Sequence, residues 1–335
     1  MDALSLRRLA TGLALLISTT ATLAGEIVDA VYVTAAQARG AIVWDVRDTK
    51  SYAEGHLPGS INMGDVAAIL RDPTREDWLP MAQLQEVLGR AGIDLYNREV
   101  IVYSRTGDPN PYWVQNGLRH FGAKASRVFH GGLDAWQAAG LPVSREAATR
   151  PPLALSLSSA NGDLMTTPEM LQRLRAGRLQ LVDARTPREF SGDDVRAIRG
   201  GHIPGAVNLP FENNWVDPET STKLANKQVT SRAGMSLKSA DDLRDLYAGL
   251  DRDKEVVVYC QSGVRAAVTA SVLRELGFRD VKVYEPSWLG YAGVLSAPAE
   301  REVFLNVGAL NGRIAGLQGK VAELEAELLR LKAPR

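Results

Sequence analysis

The chain is 335 residues long and balances 39 lysines and arginines against 39 aspartates and glutamates, which gives a formal net charge of +0. Such a balance gives no sign of the basic footprint of a nucleic-acid-binding protein, so no nucleic-acid partner is expected. The four histidines and the single cysteine lack metal-ligand spacing, so neither a metal nor another cofactor is expected. The length and the 45% hydrophobic content predict a globular protein of two domains.

The first 24 residues have the pattern of a secretory signal peptide. Arg7 and Arg8 form a basic start, a mostly apolar stretch covers 9–17, and small residues lead to Ala24. The apolar stretch is too short to span a bilayer comfortably. We therefore expect cleavage after Ala24, a periplasmic location, and no stable membrane insertion once the segment is removed.

The rest of the chain repeats itself. Four motifs occur twice in the same order, with gaps that differ by only a few residues. They lie at 42–47, 55–62, 100–104 and 122–129 in the first copy and at 181–185, 201–208, 256–260 and 277–284 in the second. This order indicates a duplication, with domains at 27–145 and 162–300. A linker rich in proline, serine and alanine joins them at 146–161.

Each copy alternates short apolar runs with amphipathic segments. The apolar runs predict strands at 42–46, 100–103, 181–184, 256–259 and 281–284. The segments 81–90 and 168–176 have helical patterning. This alternation predicts an α/β fold in which each domain is a parallel sheet flanked by helices. Functional groups in such sheets lie beyond the carboxyl ends of strands, where Arg185 and Cys260 are found.

The first copy has Ser104 where the second has Cys260. The loop that follows, 105–112, contains two prolines and differs from the second copy. An unactivated serine hydroxyl is a poor nucleophile, and no triad pattern links Ser104 to His56 and Asp45. The first domain is therefore predicted to be catalytically inactive and to complete a cleft by packing.

Cys260 is the only cysteine of the chain and has the setting of a nucleophile. A buried strand is predicted before it and a helix at 265–276 after it, with Gly263 allowing a tight turn between them. The loop amides and the helix N-terminus would point N–H groups at the sulfur, and Arg265 adds a positive charge. A lone cysteine is often just a small buried hydrophobic residue, but this loop favours a functional one.

The C-terminal residues 303–333 carry an apolar heptad repeat. The apolar residues alternate spacings of four and three: Val303, Val307, Leu310, Ile314, Leu317, Val321, Leu324, Leu328 and Leu331. β-Branched residues at most a positions and leucines at most d positions predict a coiled-coil helix. Oppositely charged residues at g and e positions favour a homodimer. The alternative is an amphipathic helix docked on its own domain, and glycines weaken the first half of the segment as a free helix.

These residues resemble the tandem-domain rhodanese family, the thiosulfate and 3-mercaptopyruvate sulfurtransferases. The resemblance covers nearly all of 30–300. It rests on the Asp-x-Arg strand end, on Gly-His-(Ile/Leu)-Pro-Gly in both copies, on the Cys260 loop, and on Tyr-Glu-Pro-Ser-Trp at 284–288. Together and in order, these motifs are highly specific.

The resemblance implies two rhodanese-like domains, of which the first is inactive and the second carries a persulfide on Cys260. Arg185 is similar to the family's substrate-binding arginine. The backbone amides of five consecutive residues would hold the persulfide: Gln261, Ser262, Gly263, Val264 and Arg265. The implied partners are a small-molecule sulfur donor and a thiophilic acceptor.

The loop departs from both subgroups of the family. Gln261 and Ser262 stand where thiosulfate enzymes often carry basic residues, and Arg265 stands where mercaptopyruvate enzymes often carry threonine. Thiosulfate is favoured as donor, with 3-mercaptopyruvate as the alternative. A phosphatase is disfavoured, because only four residues separate Cys260 from Arg265 and so tight a loop suits a persulfide better than a phosphate. A non-catalytic sulfur-binding or scaffold protein is the third hypothesis.

Overall fold

A computed structural model of the chain describes residues 25–159, 162–177 and 179–332. The predicted signal peptide, residues 1–24, lies outside the described residues. Two α/β units follow one another along the chain, and a long helix stands after them. The predicted fold class, a parallel sheet flanked by helices in each of two units, is confirmed.

The first unit is built on a five-stranded parallel sheet. Its strands are β1 Ile27–Val28, β2 Ile42–Asp45, β3 Ile61–Asn62, β4 Glu99–Tyr103 and β5 Ala125–Phe129. Its helices are α1 Ala30–Ala38, α2 Thr49–Glu54, α3 Val66–Ile69, α4 Met81–Arg90, α5 Asn110–His120 and α6 Gly132–Ala138. The strand order β1-β5-β4-β2-β3 places β4 in the middle of the sheet.

The second unit repeats this arrangement. Its strands are β6 Leu164–Met165, β7 Gln180–Asp183, β8 Arg199–His202, β9 Val207–Asn208, β10 Val256–Tyr259 and β11 Val281–Tyr284. Its helices are α7 Thr167–Ala176, α8 Pro187–Ser191, α9 Thr220–Ala225, α10 Ala240–Leu246, α11 Val264–Glu275 and α12 Ser287–Ala292, with short 3₁₀ helices at Phe211–Asn214 and Ala233–Met235. The parallel order β6-β11-β10-β7-β9 matches the first sheet strand for strand, with β10 in the middle.

The predicted central strands are confirmed because their sequence reflects burial on both faces. β10 has the predicted bounds, and its three valines are completely buried. The four strands β1, β3, β6 and β9 contain two residues each, which is too short to leave an apolar pattern in the sequence.

The segment predicted as a linker runs along the first unit. Ala148 forms a β-bridge with Ile61, the Leu153 amide donates to the Gly89 carbonyl at 2.9 Å, and Leu157 is buried. The described part of this segment therefore adds to the first unit.

The two units meet through the helices that follow their central strands, α5 and α11. The Asn116 side-chain amide donates to the Ser271 hydroxyl at 3.1 Å, and Arg274 donates to the Asn116 side-chain oxygen at 2.7 Å. Every residue of α11 from 266 to 273 is buried. This interface places the loop before each helix close to the opposite unit.

The chain ends in a strand and a long helix. The strand β12, Glu300–Phe304, pairs antiparallel with β8, and the helix α13 covers Val307–Lys332. The predicted helix start at residue 303 is wrong, because pairing with β8 keeps residues 303 and 304 extended. All residues of α13 are exposed, so the helix does not dock on the described part of its own chain. None of the helices in the described ranges combines the length and apolar character needed to cross a bilayer.

Candidate active site

Cys260 follows β10 directly and lies at the centre of its unit, with 1% of its surface exposed. The loop turns into α11 at Gly263, whose φ of +84° is accessible to glycine at little cost. A Cβ at this position would also lie 2.8 Å from the Glu285 carboxylate oxygen Oε2. Only glycine therefore fits the turn that brings α11 up to the sulfur.

Ser287 fixes one side of this loop. The amides of Cys260 and Gly263 both donate to the Ser287 hydroxyl oxygen, at 3.1 and 3.0 Å, and this hydroxyl donates to the Tyr284 carbonyl at 2.8 Å. Ser287 is completely buried and has a φ of +50°, in the left-handed region that residues other than glycine rarely adopt. The sequence motif placed Ser287 near the site, but its double contact with the loop was not predicted.

The other amides of the loop have no protein acceptor among the described residues. They belong to the remaining predicted persulfide-holding residues: Gln261, Ser262, Val264 and Arg265. The Gln261 side chain is turned away from the loop and donates to the Arg196 carbonyl at 2.9 Å. What surrounds Cys260 is thus a set of backbone donors able to receive an anion.

Arg265 lies close to Cys260 but is held by a partner. Its guanidinium donates to both carboxylate oxygens of Glu189 at 2.7 Å. Burial alone would raise the pKa of Glu189, but the hydrogen bonds and charge of Arg265, together with Thr186, lower it to about 2. Burial alone would lower the pKa of Arg265. The contacts with Glu189 and the nearby Cys260 outweigh burial and raise this pKa. The pair is therefore ionised, and Glu189 fixes the position of the arginine.

Glu212 adds a second carboxyl group to this side of the site. It lies in the Phe211–Asn214 helix, and its Oε2 is buried without a hydrogen-bond partner among the described residues. Burial raises its pKa, while the charge of Arg265 acts in the opposite direction. Neither Glu189 nor Glu212 was predicted. For Glu189 the signal was present, because Thr186 and Glu189 form a capping box at the start of α8.

Arg185 was predicted to bind the donor, and in the structure its side chain is held by residues of its own unit. Its side chain is 1% exposed, and it donates to Asp183 at 2.9 and 2.6 Å and to the Gly201 carbonyl at 2.7 Å. In the first unit Arg47 makes the same contacts with Asp45 and Gly55, at the same three distances. Because the first unit has no cysteine, this repeated arrangement is a structural strut that ties the strand end to a turn.

The first unit contributes directly to the loop. Arg71 donates to the Ser262 carbonyl at 2.7 Å, and its guanidinium stacks over the Trp113 ring at 5.1 Å. Trp113 in turn donates to the Glu285 carboxylate at 3.4 Å. Arg71 and Trp113 were not predicted, because they lie 191 and 172 residues from their partners.

Glu285 lies behind the loop, between the two units. It is 8% exposed, and its Oε2 has no hydrogen-bond partner among the described residues. Burial raises its pKa to about 7, although the Trp113 hydrogen bond and the charge of Arg71 act in the opposite direction. Below that pH the carboxyl group is mostly neutral and adds little negative charge beside Gly263.

The corresponding loop of the first unit is closed by its own carboxylates. Ser104 donates to Asp108, which also accepts from the Asn110 amide at 2.9 Å. The Thr106 amide donates to Asp134 at 2.9 Å, and Arg105 pairs with the same carboxylate. Within the described ranges, no group of three or more His, Cys, Asp or Glu residues is arranged to hold a metal ion.

Comparison with known proteins agrees with this architecture. The rhodanese-like domain family matches the chain twice, at residues 29–139 and 166–293. The thiosulfate sulfurtransferase of Corynebacterium glutamicum is 34% identical over 281 residues, covering 77% of this chain and 84% of that protein. A protein of Mycobacterium leprae, provisionally named a thiosulfate sulfurtransferase, is 34% identical over 270 residues, covering 76% of this chain and 88% of that protein.

A solved structure has the same fold. The anaerobic ergothioneine biosynthesis enzyme from Chlorobium limicola, in complex with trimethyl histidine, superposes with a TM-score of 0.69 at 20% identity. The superposition covers 82% of this chain and 70% of that one. At this identity the likeness concerns the fold alone.

The chain belongs to the rhodanese family, with two rhodanese-like domains in tandem. It is an enzyme, a rhodanese-type sulfurtransferase similar to the thiosulfate sulfurtransferases.

Proposed function

We propose that the protein transfers a sulfur atom from thiosulfate to a thiophilic acceptor through a persulfide on Cys260. The observation that carries this proposal is the run of amides next to the only cysteine of the chain that have no protein acceptor among the described residues. Covalent catalysis of this kind divides the transfer into two half-reactions.

In the first half-reaction the Cys260 thiolate attacks the outer sulfur of thiosulfate. A new S–S bond forms to Cys260, while the S–S bond of thiosulfate breaks and its electron pair leaves with sulfite. The transferred sulfur then carries the negative charge. The loop amides without a protein acceptor follow Cys260 directly, and they are expected to stabilise that charge as it develops.

In the second half-reaction the acceptor attacks the outer sulfur of the persulfide. With cyanide, a carbon–sulfur bond forms, the S–S bond breaks, and thiocyanate leaves while Cys260 regains its thiolate. A thiolate acceptor reacts in the same way and leaves as its own persulfide. Arg265 stays beside the sulfur through both steps, since Glu189 prevents its side chain from moving away.

The choice of thiosulfate rests on the relatives, since the C. glutamicum protein carries that name at 34% identity. The alternative donor, 3-mercaptopyruvate, also delivers sulfur to a cysteine. To test this choice of donor, the purified protein is incubated with each donor separately and its intact mass is measured. Thiosulfate is expected to add the mass of one sulfur atom, and cyanide is expected to remove it.

Cys260→Ser is the control for this experiment. This nearly isosteric variant is expected to fold, to gain no sulfur and to lose all transfer activity. Loading by 3-mercaptopyruvate alone would contradict the choice of donor. Wild-type turnover in Cys260→Ser would contradict the persulfide mechanism and favour a non-catalytic role for the cysteine loop.

We further propose that the enzyme works in the periplasm. The support is the signal-peptide pattern of residues 1–24, which predicts cleavage after Ala24. N-terminal sequencing of the protein from a periplasmic fraction is expected to begin at Gly25. Recovery of the intact N-terminus from the cytoplasm would contradict this location.

A further inference from the structure

The helix α13 presents an unpartnered apolar face to solvent. The residues of its apolar repeat are between 41% and 77% exposed: Val307, Leu310, Ile314, Leu317, Val321, Leu324, Leu328 and Leu331. The rhodanese-like matches end at residue 293, so the tail is an addition that the family fold does not require.

A helix of this composition needs a partner. Helices in proteins gain most of their stability from packing an apolar face, and isolated ones are marginal in water. Four glycines weaken α13 further: Gly308, Gly312, Gly316 and Gly319. With every residue exposed, nothing in the described part of the chain supplies this packing.

The pattern of the apolar face identifies the partner. Val307, Ile314, Val321 and Leu328 occupy the a positions of four successive heptads, and the d positions are all leucine. β-Branched residues at a with leucine at d favour a parallel coiled coil of two strands. The four glycines fall only at b, c and f positions, which leaves the seam intact.

The charges beside the seam favour a second copy in register. In a parallel pair each g residue lies near the following e residue of the other helix. Lys320 then meets Glu325, and Glu327 meets Lys332, so both charged pairs are of opposite sign in each direction. We propose that α13 forms a parallel two-stranded coiled coil with a second copy of this chain.

The attachment of α13 determines what the dimer brings together. β12 is hydrogen-bonded to β8, and the Leu305 amide donates to the Ile198 carbonyl at 3.0 Å, immediately before the helix begins. A parallel coil therefore holds both cysteine-bearing domains at the same end. Val303 and Phe304, which are 48% and 57% exposed, extend the apolar surface from the seam to the domain.

The first test is the mass in solution. The protein, purified in the form that cells produce, is measured by light scattering at micromolar concentration, and twice the chain mass is expected. Leu324→Asp, at a d position, is expected to give a monomer. Leu329→Asp removes an equally large apolar side chain at a b position, 71% exposed, and is expected to remain dimeric.

A monomeric, trimeric or tetrameric wild-type protein would overturn the proposal. A monomer would include the case in which α13 binds a different protein. Retention of the dimer in Leu324→Asp would also overturn it, since the contact would then lie elsewhere.

The second test addresses orientation. Leu331→Cys in a Cys260→Ser background is expected to form an intermolecular disulfide on mild oxidation, since parallel helices bring equivalent d positions together. Antiparallel helices would place these residues at opposite ends, roughly 35 Å apart along the coil. Lys320→Glu is expected to weaken the dimer about tenfold or less, and the double variant Lys320→Glu/Glu325→Lys is expected to restore it. No cross-link at residue 331 would overturn the parallel arrangement.

Discussion

The loops that follow β4 and β10 occupy the same place in two copies of one domain and differ in what fills them. After β4, the Asp134 carboxylate accepts from the Thr106 amide, and the Asp108 carboxylate accepts from the Asn110 amide and the Ser104 hydroxyl. After β10, the acceptor is the hydroxyl of Ser287, which binds the amides of Cys260 and Gly263, and no carboxylate among the described residues accepts from a loop amide. Two carboxylates of the first unit therefore already occupy the inactive loop, so this loop differs from the active one by more than the missing thiol.

The comparison also separates structural residues from site residues. The Asp45–Arg47 and Asp183–Arg185 struts are the same in both copies, whereas the loops differ. A feature shared with the inactive copy serves the fold, and a feature found only in the active copy is a candidate for chemistry. By this criterion we expect Arg265 and Glu189 to act in the site and Arg185 to serve the fold.

The largest effect is expected from breaking the two struts. Arg47→Ala and Arg185→Ala each leave a buried aspartate without its partner, which destabilises a protein by about 3–5 kcal/mol. Urea unfolding is expected to show comparable losses for both variants. Sulfur transfer per folded molecule in Arg185→Ala, assayed below its unfolding transition, is expected to stay near the wild-type value. A selective loss of donor affinity in that variant would return Arg185 to the site.

The next largest effect concerns His130 and Glu285, which occupy equivalent positions in the repeat; His130 is partly buried and Glu285 is buried. Burial lowers the pKa of His130 to about 4 and raises the pKa of Glu285 to about 7, so both groups are most stable when neutral. The protonated Glu285 carboxyl stabilises the folded state in full below pH 4.5, the ordinary pKa of a glutamate. This contribution is lost as the pH rises through 7. The contribution of neutral His130 is present above its ordinary value of 6.5 and is lost as the pH falls through 4.

Two amide variants measure these opposing contributions. Relative to wild type, Glu285→Gln is expected to gain on the order of 3 kcal/mol in free energy of unfolding between pH 5 and pH 8. His130→Gln is expected to lose relative stability over the same range. If the free energy of unfolding changed by the same amount between pH 5 and pH 8 in all three proteins, neither group would be held neutral.

A smaller effect is expected from the loop arginines. Arg265→Ala should slow persulfide formation roughly ten- to a hundredfold, because a charge-assisted contact contributes about 1.5–3 kcal/mol. Arg105→Ala, which breaks the corresponding loop contact with Asp134, should leave the rate unchanged. The double variant Arg265→Ala/Glu189→Gln removes the stranded carboxylate and should recover stability but not rate. A recovered rate would mean that Arg265 acts only by neutralising Glu189.

The smallest effect is expected at Ser104. Ser104→Ala should leave activity near wild type. Ser104→Cys should add no second sulfur on exposure to thiosulfate, because Asp108 and Asp134 already bring two carboxylates to the amides of Asn110 and Thr106. Intact mass with one sulfur per chain would agree with this account. Two sulfurs per chain would show that only the residue, and not the loop, is inactive.

The duplication, the central strands and the cysteine loop could be predicted because each leaves a local pattern. Buried strands carry β-branched runs, and the loop carries its glycine and arginine within a few residues of Cys260. Contacts between distant segments leave no such pattern, which is why Arg71 and Glu212 were missed. The role of Arg185 is not decided by its sequence position, because a strut and a ligand-binding residue share the same place at a strand end, and the equivalent contacts of Arg47 favour the strut.

The burial of α11 has a consequence for the history of the chain. This helix positions the cysteine loop, and it is buried along residues 266–273 where it meets α5 of the inactive copy. Deleting the first copy would expose that surface and destabilise the cysteine loop. A first copy that no longer catalyses the reaction would therefore still be kept for the packing of its helix α5. This accounts for an enzyme in which half of the chain has no nucleophile.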